Sequence, residues 1–259
     1  MIVVDKLCYG SKLRYVNPYE KFAFAMLTLI FCIVSRSIVM GIFVMGVNAL
    51  LTIKKGGISG NRYFKLMTIP LAFLVLSTVA IIVNWSREPL DAFAFQIGEH
   101  YITGSCEDAV MAIRLIVTAL AAVSCLYFLS LNTTMTDILA VFRSLKCPVL
   151  ISELMLMIYR FIFVLLDSAY YISSSQHARL GYKDYKTSLK SFAGMVQAVF
   201  IQSMKRSRVL YDAMEARCYD GRVNVLNEHR PVKRKNVIMI AVFEIVLLMF
   251  TVMVKTGVI

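Results

Sequence analysis

Two short tripeptides hold the most distinctive chemistry in this sequence: Ala178-Arg179-Leu180 and Ala216-Arg217-Cys218. Each places a small residue before an arginine, and the arginines lie 38 positions apart (179 to 217). An arginine guanidinium is a planar fork of donors that grips a carboxylate through two parallel hydrogen bonds, a geometry a lysine ammonium cannot reproduce. A single arginine in the last turn of a helix has a plainer use, complementing the helix dipole and capping free carbonyls. Here two predicted helices end in Ala-Arg-x, one followed by Gly181 and the other soon by Gly221, and that pairing points to recognition of a partner surface. Met214 and Glu215, just before the second tripeptide, are supporting candidates.

The elements that must position these arginines are legible from periodicity. Asn132-Thr133-Thr134 offers N-cap chemistry for a short helix over about 135–145, which Pro148 ends. A helix over about 150–179 follows, then a turn around Gly181, then a second long helix over about 188–217. In that second helix Leu189, Phe192, Val196, Val199, Phe200, Leu210 and Ala213 recur at roughly helical spacing, with Lys190, Lys205, Arg206 and Arg208 elsewhere. Its apolar face is expected to pack on something, and its basic face to meet water or an acidic surface.

Composition fixes the surroundings. With 259 residues, 59% hydrophobic, and a mean hydropathy of +0.70, the chain is far more apolar than an ordinary soluble domain. Only 17% of residues are charged, yet the net charge is +12. No basic domain stands clear of the apolar segments, so this charge reads as cytoplasmic loops of a membrane protein and no nucleic-acid partner is expected. Expected spans are 22–35, 37–53, 66–85, 109–131 and 237–254, separated by Ser35-Arg36-Ser37 at the first junction. The fold class is thus an all-α integral membrane protein of about five transmembrane helices, with long helices inserted before the last.

Charge sets the sidedness. Lys6, Lys12, Arg14 and Lys21 precede the first span, and Lys54, Lys55, Arg62 and Lys65 lie between the second and third. Between the third and fourth the balance inverts, with Arg87 against Glu88, Asp91, Glu99, Glu107 and Asp108. The positive-inside rule places the N-terminus and the 54–65 loop in the cytoplasm. The expected organisation is a cytoplasmic segment 1–21, four spans in 22–131, a cytoplasmic region 132–236 and a last span with a short outer tail in 237–259. Residues 168–236 contain 13 Lys or Arg, in keeping with that assignment. Residues 149–166 compete as a further span, interrupted by Arg160. Crossing would put the basic stretch outside, so a helix lying partly on the membrane face is preferred, with Arg160 directed to a polar partner or to headgroups.

Other chemistries find little support. The six cysteines (8, 32, 106, 125, 147 and 218) form no C-x-x-C, and Cys32 and Cys125 fall in apolar spans as small hydrophobes. His100, His177 and His229 are far apart in sequence, so no metal site is expected. No G-x-x-x-x-G-K-[ST] occurs, and Gly56-Gly57-Ile58-Ser59-Gly60 reads as a turn. The chain is therefore expected to bind no cofactor and to hold no catalytic residue, and no cleavable signal peptide is expected. Two charges fall inside spans, Arg114 and Glu244, to be paired with each other, with a partner or with backbone groups.

At this point the sequence resembles a family: the transmembrane T component of energy-coupling-factor transporters, closest to the cobalt-type CbiQ branch. The resemblance rests on Val4-Asp5-Lys6-Leu7, Ser11-Lys12-Leu13-Arg14-Tyr15-Val16-Asn17-Pro18, Ile158-Tyr159-Arg160-Phe161-Ile162-Phe163 and Gln176-His177-Ala178-Arg179-Leu180-Gly181-Tyr182. It is sharpest at Ala213-Met214-Glu215-Ala216-Arg217-Cys218-Tyr219-Asp220-Gly221. The family motif usually reads Ala-Arg-Gly, and this chain has Leu180 and Cys218 at the third positions.

The resemblance implies two crossing cytoplasmic helices whose terminal arginines dock into grooves on a pair of nucleotide-binding ATPase subunits. It implies a small integral-membrane subunit that captures the substrate, with ATP and Mg on the partner subunits. Arg179 and Arg217 would be the docking cations, and Ala178 and Ala216 would permit close approach. Cobalt uptake feeding cobalamin synthesis in a bacterial or archaeal cytoplasmic membrane is the implied role. The alternatives are nickel or a vitamin as cargo and, from another class, a self-contained channel or carrier.

Overall fold

The computed structural model describes residues 3–82, 84–86, 93–97, 100–104, 106–221 and 230–256. Arg87, Glu88, Asp91, Glu99 and His229 from the sequence reading lie outside the described residues. The chain divides into two compact units: a bundle of residues up to 138 together with the segment from 229 onward, and an intervening unit that begins at Leu139.

The bundle is helical. Its elements are α1 (Val3–Gly10), a 3-10 turn (Lys12–Tyr15), α2 (Pro18–Ser35), α3 (Ile38–Leu50) closed by a π turn (Leu51–Lys55), α4 (Gly60–Ile82), α5 (Cys106–Asn132) and α9 (Arg234–Lys255). Central to it is α5, which packs against α1, α2, α3 and α4, while α9 packs on α2. The interior is built where large and small side chains meet: Phe24 and Ala25 of α2 on Phe128 and Leu129 of α5, and Met40 and Val44 of α3 on Cys125 and Leu247. Phe24 meets Phe128 edge-on with centroids 5.1 Å apart, the arrangement the ring quadrupoles favour.

The break between the first two spans falls where expected. Arg36 adopts a left-handed conformation (φ 48°), so α2 ends there and α3 starts two residues later. The third expected span ends earlier than its sequence implied: α4 stops at Ile82, and Asn84–Ser86 is strand β1. It pairs with β3 (His100–Gly104), which also pairs with β2 (Phe93–Ile97), giving an antiparallel sheet of order β1-β3-β2 in the loop before α5. The fold class is otherwise the all-α membrane bundle expected.

Five described helices are long and apolar enough to cross a membrane: Pro18–Ser35, Ile38–Lys55, Val110–Asn132, Val149–Ala178 and Arg234–Val254. Four coincide with expected spans. The fifth, Val149–Ala178, is the segment that competed for a crossing. The chain is a multi-pass membrane protein.

The N-terminal segment, read as a basic cytoplasmic stretch, is a clasp at one end of the bundle. Asn17 Oδ1 accepts from Tyr19 N–H at 2.9 Å and Pro18 opens α2, a standard helix start. Lys21 is buried, and its ammonium donates to the carbonyls of Leu13 (3.2 Å) and Asn132 (2.8 Å). Ser11 donates to Asn132 Oδ1 at 2.7 Å, and Asn17 Nδ2 to the carbonyl of Arg230 at 2.8 Å. Arg230 in turn pairs with Asp137 at 2.9 Å and reaches the carbonyl of Arg14. Residues 132–138 and 230–236, expected as parts of the inserted region, therefore belong to the bundle.

The other unit takes over within α6 (Met135–Ser144), whose first turn is capped by Thr134 Oγ1 accepting from Asp137 N–H at 3.3 Å. Pro148 sits at the start of α7 (Val149–Ala178), and α8 (Tyr185–Glu215) returns beside it. At about 1.5 Å per residue the 30-residue α7 runs roughly 45 Å.

Candidate functional site

Both Ala-Arg-x tripeptides terminate a long helix, and they do so with one hydrogen-bond pattern. After α7, Leu180 N–H donates to His177 O (3.1 Å) and Gly181 N–H to Gln176 O (2.8 Å). After α8, Cys218 N–H donates to Glu215 O (2.9 Å) and Tyr219 N–H to Met214 O (3.1 Å). Each is a Schellman motif, in which the residue after the cap turns left-handed so that the chain doubles back onto the last carbonyls. Leu180 and Cys218 are the residues that turn, each at φ 57°. Arg179 and Arg217 occupy the equivalent cap positions.

The capping accounts for the backbone but leaves the guanidinium groups free. Arg179 and Arg217 are exposed, as are Ala178 and Ala216 beside them. Among the described residues neither arginine has an ion-pair partner. Two exposed cations are therefore held at helix ends by the same cap.

The first motif is locked by its neighbours. Gln176 Nε2 donates to Ser191 O at 2.9 Å, Tyr182 OH donates to Gln176 Oε1 at 2.8 Å, and Ser191 Oγ donates to Gly181 O at 2.7 Å. His177 stacks on Tyr182 with centroids 4.2 Å apart, so this histidine is a packing residue of the turn. Gly181 is needed for close approach: a Cβ there would sit 2.8 Å from Ser191 Oγ and 2.9 Å from Gln176 O.

The second motif is tied to the start of α7. Tyr219 OH donates to Glu153 Oε2 at 3.0 Å, and that bond to a carboxylate is the main reason its phenol is pushed above its usual pKa. Arg217 thus sits near the beginning of α7 and Arg179 at its end. From Glu153 to Arg179 is 26 residues of helix or cap (153 to 179), placing the two arginines roughly 40 Å apart. Gly221 has φ 86°, a left-handed conformation that glycine adopts without steric cost.

A cleft of about 450 Å³ opens between the two helices beside the second motif. Leu156, Phe161, Leu210 and Met214 give it apolar walls, and both Arg160 and Arg217 line it. Sequence reading assigned Arg160 to a polar partner or to headgroups; the structure brings it to the same cleft as Arg217. Its signal was available, since Arg160 lies in an apolar run where an unpaired charge requires a purpose. Glu215 contributes its carbonyl to the cap, and its side chain is exposed.

Among the described residues, most of the apolar face of α8 is left uncovered. Leu189, Phe192, Val196 and Phe200 are each half or more exposed. The partner expected for that face is not another part of the described unit.

Arg114 and Glu244 do not pair with each other. Arg114 is exposed on α5, whereas Glu244 is buried in α9 with Oε1 2.8 Å from the Thr28 hydroxyl. Among the described residues no group of three or more His, Cys, Asp or Glu is placed to hold a metal ion. Cys8, Cys32 and Cys125 are buried free thiols and Cys218 is an exposed one.

Comparison with known proteins agrees in kind. A family profile described as CbiQ, cobalt transport protein, matches residues 10–227, covering both motifs. An uncharacterized protein of Methanocaldococcus jannaschii is 29% identical over 259 residues, covering 98% of this chain and 94% of its own length. The cobalt transport protein CbiQ of Salmonella typhimurium is 28% identical over 225 residues, or 85% of this chain and 98% of that protein. A putative fused cobalt transport protein, CbiMQ, of Methanocorpusculum labreanum is 29% identical over 220 residues; the match covers 85% of this chain but 37% of that longer protein.

Proposed function

The chain belongs to the CbiQ family of cobalt transport proteins, and from that premise we propose that it is the energy-coupling transmembrane subunit of an ATP-driven importer of the energy-coupling-factor type. The observation that carries the proposal is the matched pair of Schellman caps that hold Arg179 and Arg217, exposed and without ion-pair partners among the described residues, at opposite ends of α7. A capping role alone needs neither a free guanidinium nor two copies. A pair of equivalent acidic sites about 40 Å apart, as a pair of ATPase subunits would present, needs both.

In this account ATP and Mg bind the partner ATPase pair, and this chain contributes no catalytic group. Nucleotide-driven movement of that pair pulls on Arg179 and Arg217, and α7 and α8 transmit it as rigid rods to a small membrane subunit that captures the substrate. The cleft lined by Arg160 and Arg217 would receive the ATPase segment nearer the α8 end. The uncovered strip of Leu189, Phe192, Val196 and Phe200 is an apolar surface of the kind such a capture subunit would cover. Support for a membrane partner also comes from the fused relative, more than half of whose length lies outside the match.

Cobalt ions, feeding cobalamin synthesis, are the proposed cargo, in keeping with the names of the relatives. The membrane is the cytoplasmic membrane of a bacterium or archaeon, with the N-terminus in the cytoplasm. The test is ATP-dependent cobalt uptake by the assembled transporter carrying Arg179→Glu with Arg217→Glu. The variant is expected to insert in the membrane but to lose ATP-driven uptake; uptake at the normal rate refutes the docking role. Charge reversal is used because an exposed ion pair removed by alanine is often worth under about 1 kcal/mol.

A further inference from the structure

The bundle carries a second cavity, remote in sequence from both Ala-Arg-x motifs, for which the coupling role has no use. It has a volume of about 370 Å³ and lies between α2, the π turn after α3, α5 and α9. Its walls are apolar and partly aromatic: Phe24, Val47, Leu51, Phe128, Ile240 and Phe243. Phe243 stacks on Phe43 at 6.1 Å and tilts against Phe24 at 5.4 Å, so the back wall is fixed.

The mouth is polar, and its charges are unequal. Glu20 and Lys21 on the α2 side are committed to the fold: the carboxylate accepts Lys233 N–H (3.0 Å) and Asn236 Nδ2 (3.1 Å), and the buried ammonium serves two carbonyls. Lys55 and Lys233 also line the mouth, and both are exposed. Among the described residues neither ammonium has an ion-pair partner. Lys54 beside the first, and Arg234 and Lys235 beside the second, are exposed as well and add to the positive field.

The position of this mouth decides what it meets. It opens where α2 and α9 begin and where α3 ends, at the boundary between the apolar spans and their basic flanks. An apolar slot below a basic rim, at the depth where spans end, matches one occupant in shape and charge: a lipid with an acyl chain and a negative headgroup. A soluble anion would leave the aromatic walls unused, and a zwitterionic lipid would leave the two free ammonium groups without a matching net charge.

We propose that the cleft between α2, α3, α5 and α9 is a binding site for an anionic phospholipid, with one acyl chain against Phe24, Phe128 and Phe243 and the headgroup phosphate between Lys55 and Lys233. The lipid joins the π turn to the start of α9 and so braces the clasp end of the bundle.

The full chain, purified in mild detergent, would be titrated with dioleoyl phosphatidylglycerol and with dioleoyl phosphatidylcholine and followed by native mass spectrometry. Retention of phosphatidylglycerol well above phosphatidylcholine is expected. Lys55→Gln with Lys233→Gln should weaken phosphatidylglycerol binding roughly ten- to thirty-fold, given the worth of two basic residues at a membrane surface. Val47→Trp, which fills the slot without changing charge, should also abolish the preference.

Equal retention of the two lipids by the unmodified chain overturns the proposal, and so does a phosphatidylglycerol preference that survives Val47→Trp. Should either variant fail to fold, a phosphatidylglycerol bearing a diazirine in one acyl chain decides the matter on the unmodified chain. Crosslinks on α3 and α9 around Val47 and Phe243 support the site, and crosslinks confined to other helices refute it. None of these readouts needs the ATPase or the capture subunit, so the lipid site and the coupling role stand or fall separately.

Discussion

Leu180 and Cys218 share one backbone conformation, φ 57°, at the corresponding position of two Schellman caps that end two different helices. Each follows an exposed arginine, and each stands where the family motif usually has glycine. The reason for that glycine is then physical. A left-handed residue with a Cβ crowds its own carbonyl, at a cost of about 1–2 kcal/mol, whereas glycine adopts it freely. Both side chains here are exposed, so replacing them removes little packing.

Leu180→Gly and Cys218→Gly should therefore each stabilise the unit of α7 and α8, by about 1 kcal/mol. Thermal unfolding of the purified protein in detergent measures this. A β-branched replacement, Cys218→Val, should lower stability instead, and a fall with glycine would refute the conformational argument.

Gly181 is a case of space rather than dihedral angle. Its missing Cβ leaves room for Ser191 Oγ and for the carbonyl of Gln176, both within 3.0 Å of where a methyl would be. Gly181→Ala should loosen the turn by about 1–3 kcal/mol, since overpacking displaces the Ser191 and Gln176 bonds together. Hydrogen exchange should rise in the last turn of α7 and the first turns of α8, with the bundle helices unaffected.

The two ends of the accessibility scale among the cysteines give a third prediction. Burial pushes the Cys8 thiol up to about 11, only partly opposed by the nearby Lys21 ammonium. In single-cysteine proteins at pH 8, Cys218 should react with a maleimide at once and Cys8 only after unfolding. An acid whose folded pKa exceeds its unfolded value stabilises the fold fully below the unfolded value, here near 9, and loses that contribution as pH rises towards 11. Cys8→Ala should flatten the corresponding loss of thermal stability between those limits.

Tyr219 and Glu153 supply a fourth. Their 3.0 Å bond joins the second motif to the start of α7 and raises the phenol pKa. Ultraviolet difference titration against Tyr219→Phe should show this tyrosine ionising later than free tyrosine, and Glu153→Gln should bring it back down. If the late tyrosine persists in Glu153→Gln, the tether does not exist in solution.

Much of this was legible in the sequence, for identifiable reasons. The long helices announced themselves by apolar periodicity and by Pro148 and Gly181 as stops, and their observed ends fall within three residues of those expected. The arginines were visible because two copies of one tripeptide at helix ends are hard to attribute to capping alone. What stayed hidden depends on distant residues meeting. Nothing local in Ser11, Asn17 or Lys21 says that they close on Asn132 and Arg230, more than 110 positions away. The strands before α5 were missed because Asn84-Trp85 was read as the end of a span and the rest of that segment for its charge. The equal φ of Leu180 and Cys218 was hidden by their side chains, which are not those a left-handed position favours.

The central claim is that Arg179 and Arg217 fasten this chain to an ATPase pair. Affinity purification of the tagged protein from its native membranes in mild detergent, beside the Arg179→Glu, Arg217→Glu double variant, tests it most directly. The account predicts that a nucleotide-binding ATPase and a small membrane protein accompany the unmodified chain, and that the variant keeps the membrane protein but loses the ATPase. If both forms retain the ATPase equally, or the unmodified chain emerges alone while a known complex of this type survives the same treatment, the two arginines are not the docking cations and the coupling role fails.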